Sequence, residues 1–135
     1  MVVANIPGNL AAGPVLAHGA PRGALVVAAA AGAALCEIGM FSEALPDALR
    51  YALVLAFSMV AGLIPGAIFA GLPVHAPTPQ HIATGNGMAV QASAFGQFLG
   101  PLAIAWVASR LGWAASLWVL LAFAAGAAAC GLAIG

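Results

Sequence analysis

The chain has 135 residues, of which 64% are hydrophobic and 4% are charged, and its mean hydropathy is +1.12. Soluble domains carry about 25% charged residues, so this composition excludes a soluble globular domain. Three basic residues balance three acidic ones, which leaves no basic surface for a nucleic acid, and no nucleic-acid partner is expected.

Five apolar segments are predicted to cross the membrane as helices, because one span needs about 20 apolar residues. The first is slightly short, and the connectors between segments are short and rich in proline and glycine. The predicted fold is therefore all-α, a polytopic transmembrane bundle of about five helices in a single membrane domain over residues 1–135, surrounded by the lipid bilayer. The predicted helices cover residues 2–17, 23–41, 47–70, 82–109 and 113–134.

Polar side chains are concentrated in the first, third and fourth segments, whereas the second and fifth are almost bare of them. Lipid offers no hydrogen bonds, so polar groups at membrane depth are expected to face protein or a water-filled cavity. The bare segments are expected to face lipid. The alternative is that the amides only hold helices together, with each interhelical hydrogen bond contributing about 0.6 kcal/mol to helix association. The candidate substrate-cavity residues are Asn5, Asn9, Tyr51, Ser58, Gln91, Ser93 and Gln97.

The fourth segment combines a polar stripe with a ladder of small residues. Asn86, Ser93 and Gln97 fall on one helical face, at spacings of seven and four residues. The ladder has a small residue at every fourth position, which allows the backbone of a neighbouring helix to approach closely. We therefore expect this helix to lie inside a bundle and to pack through Ala92, Gly96 and Gly100.

Catalytic and metal chemistry find little support in the sequence. A serine nucleophile such as Ser58 or Ser93 would need a histidine or lysine base, and no predicted span supplies one. His75 and His81 flank a proline-rich loop, but their spacing fits no helical ligand pattern and no acid or cysteine is near. Neither enzymatic activity nor a catalytic residue, metal or cofactor is predicted. Glu37, near the end of the second segment, is expected to reach water, with a proton-coupling carboxylate as the alternative.

Several motifs are spread along the chain: Asn5–Asn9, Ala61–Gly66, Pro73–His81, Asn86–Gly87, Gln91, Gly96–Gln97, Gly100–Pro101 and Leu111–Trp113. Together they resemble the major facilitator superfamily of secondary transporters, from the eighth to the twelfth helix. The resemblance covers essentially the whole chain, and a cyanate-permease-like branch is the favoured subfamily. In the loop behind the first segment, the family's acid and base are replaced, because Ala17 and His18 follow Gly13 and only Arg22 is kept.

The resemblance implies that the first, third and fourth segments line a central cavity and that the others lie outside it. It also implies the C-terminal part of a transporter that moves a small solute across a bacterial cell membrane by alternating access. Seven helices of such a fold have no counterpart here, so a fragment is expected that is inactive without the missing N-terminal half or another copy of itself. The alternative functions are a small integral membrane protein that associates with other membrane subunits, and a self-pairing small transporter.

Overall fold

The structure of the chain is a computed structural model that describes residues 2–134, apart from the side chains of Val2 and His75. The described residues form five helices and no strand, which confirms the all-α prediction. A 3-10 turn, Trp113–Ala115, precedes the last helix. The helices are α1 (Val2–Ala17), α2 (Arg22–Met40), α3 (Asp47–His75), α4 (Pro79–Leu111) and α5 (Ser116–Ile134).

Four stretches of helix are long and apolar enough to cross a membrane: α2, residues 47–74 of α3, α4, and residues 113–134. Helix α1 has 16 residues, so it is about 24 Å long at 1.5 Å per residue, short of a hydrocarbon core of about 30 Å. The chain therefore has the character of a multi-pass membrane protein. A fifth crossing by α1 stays a prediction.

Proline changes the predicted boundaries between α3 and α4. Helix α3 was predicted to end at residue 70, but it continues through Pro73 to His75. Pro79 starts α4 three residues earlier than predicted, at a position where proline is favoured because its missing N–H has no helical partner. The loop between these helices is therefore shorter than the proline content of the sequence suggests.

The helices pack in the order α1, α3, α2, α5, so α2 lies in the middle of the row and contacts both α3 and α5. Helix α2 is thus packed on two sides, but Leu35 and Ile38 remain 70% and 50% exposed on another face. That α2 faces lipid stays a prediction. Ala29, Ala30 and Ala33 are buried on α2, because small side chains let both neighbouring backbones come close. Among the described residues of α5, only Ser116 and Gly131 are buried, which agrees with a helix that faces lipid.

Helices α1 and α3 approach each other through glycines. A Cβ atom on Gly62 would lie 2.5 Å from the carbonyl oxygen of Asn5, and one on Gly8 would overlap the carbonyl oxygen of Met59. Backbone atoms cannot move aside as a flexible side chain would, so glycine is required where these helices cross. The sequence signal is a small residue at every fourth position on both helices. This contact, the glycine seam, consists of Gly8, Ala12, Gly62 and Gly66.

Helices α2 and α5 run antiparallel and contact each other near both ends. At one end, a Cβ atom on Gly131 would lie 2.9 Å from Val27 Cγ2 and 3.1 Å from the carbonyl oxygen of Gly23. At the other end, the rings of Phe41 and Trp113 stack with centroids 6.4 Å apart. The C-terminal end of α2 is therefore fixed next to the start of α5.

Helix α4 is attached loosely, by few contacts to α3, α5 and the 3-10 turn. Each of its 33 residues is described, and each is partly or fully exposed. A Cβ atom on Gly96 or Gly100 would meet no described atom within 4 Å. The expectation that α4 lies inside the bundle is thus wrong for this single chain, because its other helices pack with one another and leave the ladder uncovered. Packing of the ladder against a further protein stays a prediction.

Candidate functional site

A cavity of about 480 Å³ lies between α1, α3 and α4. Each of the three helices contributes polar side chains to it, as predicted for the first, third and fourth segments. The cavity therefore brings together four of the predicted substrate-cavity residues, which are far apart in the sequence: Asn5, Ser58, Ser93 and Gln97.

On the side of α1 and α3, the polar groups form a connected set of hydrogen bonds. Asn9 donates from Nδ2 to Asn5 Oδ1 (3.0 Å), and Asn5 donates from Nδ2 to the backbone oxygen of Ser58 (3.0 Å). The Ser58 hydroxyl donates to the Val54 carbonyl oxygen one turn earlier (3.1 Å). These bonds fix the rotamer of Asn5, and its amide keeps a second N–H for another partner. Asn9 does not line the cavity but orients the residue that does.

On the side of α4, Gln97 donates from Nε2 to Ser93 Oγ (3.1 Å), and both side chains are exposed. They lie four residues apart and therefore on one face of the helix. The amide of Gln97 still offers a carbonyl oxygen as acceptor and a second N–H as donor. The α4 wall can thus donate and accept hydrogen bonds without carrying a charge.

Besides Asn9, two further predicted cavity residues do not line this cavity. Gln91 is exposed elsewhere on α4, because two residues correspond to about 200° around a helix and carry it away from the face of Ser93. Tyr51 is 74% exposed and borders a separate cavity of about 160 Å³, together with Arg50. It lies seven residues before Ser58, which is about 10 Å along the axis of α3. The structure therefore does not bring Gln91 or Tyr51 to this cavity, and their role in a substrate cavity stays a prediction.

Apolar residues complete the α3 wall, and the sequence reasoning missed them. Phe57, Ala61 and Pro65 line the cavity at successive spacings of four residues, the spacing that places side chains on one helical face. That spacing, adjacent to the polar Ser58, was the available signal. A second, mostly apolar groove of about 350 Å³ shares Pro65 and Ser93 with the cavity and is also lined by Ala92. The ladder residue Ala92 thus borders open space between α3 and α4.

The chemistry of the cavity is that of neutral hydrogen bonding. Its lining contains no charged side chain and no imidazole. The described residues include no group of three or more His, Cys, Asp or Glu side chains that could hold a metal ion. The hypothesis of a metal pair falls on His75, whose side chain lies outside the described residues. The arrangement can therefore orient a small polar molecule through serine hydroxyls and two amides.

The comparisons with known proteins assign no family to the chain. No family model, no curated protein and no solved structure matches it. The resemblance to the major facilitator superfamily therefore stays a prediction from the sequence motifs. Function is inferred from the described helices and from the cavity between α1, α3 and α4.

Proposed function

We propose that the chain forms one wall of the solute pathway in a secondary transporter that moves a small polar solute across a membrane. The observation that carries this proposal is the convergence of Asn5, Ser58, Ser93 and Gln97 on one cavity between apolar helices. Lipid would leave such groups without hydrogen bonds, so water or a polar solute is the favourable occupant.

The cavity also indicates the class of solute. A volume of about 480 Å³ falls within the range of small-molecule sites, about 300–1,000 Å³. Amide and hydroxyl groups recognise donors and acceptors on a solute, and no formal charge in the lining selects for an ion. A small hydrogen-bonding molecule therefore fits better than a bare inorganic cation.

The wall is incomplete without further helices, which supports a transporter assembled from more than this chain. Ser93 and Gln97 are exposed although they lie on a helix apolar enough to span a membrane. Alternating access requires one group of helices to rock against another around a site between them. We propose that the second group is an N-terminal half of the kind that the family resemblance implies, or another copy of the chain. The chain by itself would then not transport.

Solute binding tests this proposal. Purified chain in mild detergent is screened by thermal unfolding against small sugars, amides and organic anions at millimolar concentration. A solute that binds the folded chain should raise the unfolding temperature, since a ligand at 100 times its Kd stabilises the bound state by about 2.7 kcal/mol. Gln97→Leu should abolish the increase, because it removes the donor and acceptor on the α4 wall.

The matched control is Gln91→Leu, the same change on the same helix but outside the cavity. It should leave the solute-induced increase unchanged. Two results would count against the proposal: no compound in the panel stabilises the chain, or both leucine variants respond to the solute equally.

A second function is favoured by the exposure of α4, which suits a membrane protein that binds other membrane subunits and transports nothing. Its uncovered Gly96 and Gly100 would admit a neighbouring helix. This alternative predicts association without solute binding. It would be preferred if the chain assembled with other subunits while every solute failed to stabilise it.

A further inference from the structure

Two buried polar atoms near the contact between α2 and α5 have no hydrogen-bond partner. Glu37 is 4% exposed, and its Oε2 atom is unpartnered. Ser116 is 0% exposed, and its Oγ atom is also unpartnered. Most buried polar groups in proteins have a partner, so two exceptions at one end of the bundle require a physical explanation.

The stacked rings of Phe41 and Trp113 place these two atoms at a similar depth. Glu37 lies one helical turn before Phe41, about 6 Å along α2. Ser116 lies three residues after Trp113, about 6 Å along the 3-10 turn that leads into α5. Because α2 and α5 are antiparallel, both steps lead inward from the stacked rings. The carboxyl group and the hydroxyl group are therefore both buried at a similar depth, one on each of the two packed helices.

No positive charge of the described residues pairs with the Glu37 carboxyl group. Among the described residues, Glu37 takes part in no ion pair. Arg50 on α3 donates from Nε and from Nη2 to the backbone oxygen of Ser42 (2.8 and 2.5 Å), and its Nη1 lies 3.8 Å from Asp47. The other charged or titratable side chains on the elements at this end of the bundle are Cys36, Glu43, Tyr51 and Arg110.

The helix itself also disfavours a negative charge at Glu37. This residue lies in the last turn of α2, and its carbonyl oxygen accepts the N–H of Phe41. The C-terminal end of a helix carries partial negative charge. A carboxylate would therefore be buried without a counter-ion and next to the unfavourable end of a dipole, which is costly.

A metal ion is a poor candidate for the missing partner. Hard cations such as Ca²⁺ take six to eight oxygen ligands, and the described residues contain no cluster of three acidic, histidine or cysteine side chains. A proton needs a single carboxylate oxygen. Binding of the proton makes the carboxyl group a neutral hydrogen-bond donor, and the oxygen of a buried hydroxyl group can accept a hydrogen bond from its O–H.

We infer that Glu37 is a buried proton-binding site between α2 and α5, with the Ser116 hydroxyl group as its polar neighbour. A proton from water forms an O–H bond with the carboxylate, and the uncharged carboxyl group then packs in the interior. This assignment corrects the expectation that Glu37 reaches water. The site lies apart from the cavity between α1, α3 and α4, so it does not depend on the proposed transport function.

Infrared spectroscopy of the full chain in lipid nanodiscs tests this inference directly. The chain has three acidic side chains, so the C=O stretch of a protonated carboxyl group can be assigned by substitution. We expect this band at neutral pH in the natural chain. It should persist in the double variant Glu43→Gln, Asp47→Asn, in which Glu37 is the remaining acidic side chain, and disappear in Glu37→Gln.

The double variant keeps the test decisive even if Glu37→Gln folds poorly. Ser116→Ala should shift the frequency of the band, whereas Ser109→Ala, which changes an exposed serine on α4, should not. Absence of the band at neutral pH from both the natural chain and the double variant would overturn the proton-binding site. An unchanged frequency in Ser116→Ala would overturn the assignment of Ser116 as its neighbour.

Discussion

Replacing Gly8 by alanine should disrupt the packing of α1 on α3, whereas the same replacement at Gly13 should be tolerated. A Cβ atom at Gly8 would overlap the carbonyl oxygen of Met59, which is backbone and cannot rotate away. Inserting a carbon into a close contact of this kind typically costs about 1–3 kcal/mol. At Gly13, a Cβ atom would meet no described atom within 4 Å. Alanine there should cost clearly less than at Gly8, because its higher helix propensity offsets the crowding that Pro14 imposes on the preceding residue.

The comparison tests packing, because both changes add the same Cβ atom to α1 and only the one at Gly8 meets the backbone of α3. The free energy of unfolding in detergent, followed by circular dichroism, is the appropriate measurement. Gly62→Ala should behave like Gly8→Ala, since its Cβ atom would lie 2.5 Å from the carbonyl oxygen of Asn5. If Gly8→Ala and Gly13→Ala unfold alike, helices α1 and α3 do not meet through the glycine seam.

Gly96→Leu should act differently from Gly8→Ala. We expect little effect on the free energy of unfolding of the single chain and a large loss of assembly with other chains. Outside the adjacent turns of α4 itself, no described atom lies within 4 Å of a Cβ atom at Gly96 or Gly100, so a larger side chain there has open space beside it. A partner helix that approaches this face closely would be forced away by leucine. The measurement is the fraction of chain in larger assemblies on native gels after extraction from membranes with mild detergent.

Ala105→Leu is the matched control, since Ala105 is an exposed small residue of the same helix outside the ladder. It should leave the assemblies intact. Equal assembly of the Gly96→Leu and Ala105→Leu variants would show that the ladder is not an interface. A marked loss of unfolding stability in Gly96→Leu would show that α4 packs within the chain more tightly than the structure indicates.

The sequence predicted the helices well because length and hydrophobicity determine what can cross a bilayer. It also identified four of the residues around the cavity, because polar groups on an apolar helix have few favourable places to lie. Periodicity indicated their faces correctly for Ser93 and Gln97. The same periodicity places Gln91 on a different face of α4, away from the cavity.

Helix neighbours could not be predicted in the same way. Lipid tails and a protein interior are both apolar, so an alanine-rich helix such as α2 fits either one. Helix α2 lies between α3 and α5 because it contacts both of them. The sequence pattern of α2 alone does not predict these contacts. The two small-residue patterns shared a spacing, yet the seam at Gly8 and Gly62 is packed in this chain and the ladder at Gly96 is open. The burial of Glu37 likewise depends on packing between helices.

Thiol accessibility is the most direct test of a water-filled cavity between α1, α3 and α4. In a chain with Cys36→Ala and Cys130→Ala, a single cysteine is introduced by Ser93→Cys, Gln97→Cys or Phe123→Cys and exposed to a membrane-impermeant thiol reagent in intact membranes. Cysteines at positions 93 and 97 should be labelled, whereas position 123, exposed on α5, should face lipid and stay unlabelled. Absence of labelling at positions 93 and 97, or equal labelling at position 123, would contradict a polar cavity open to water.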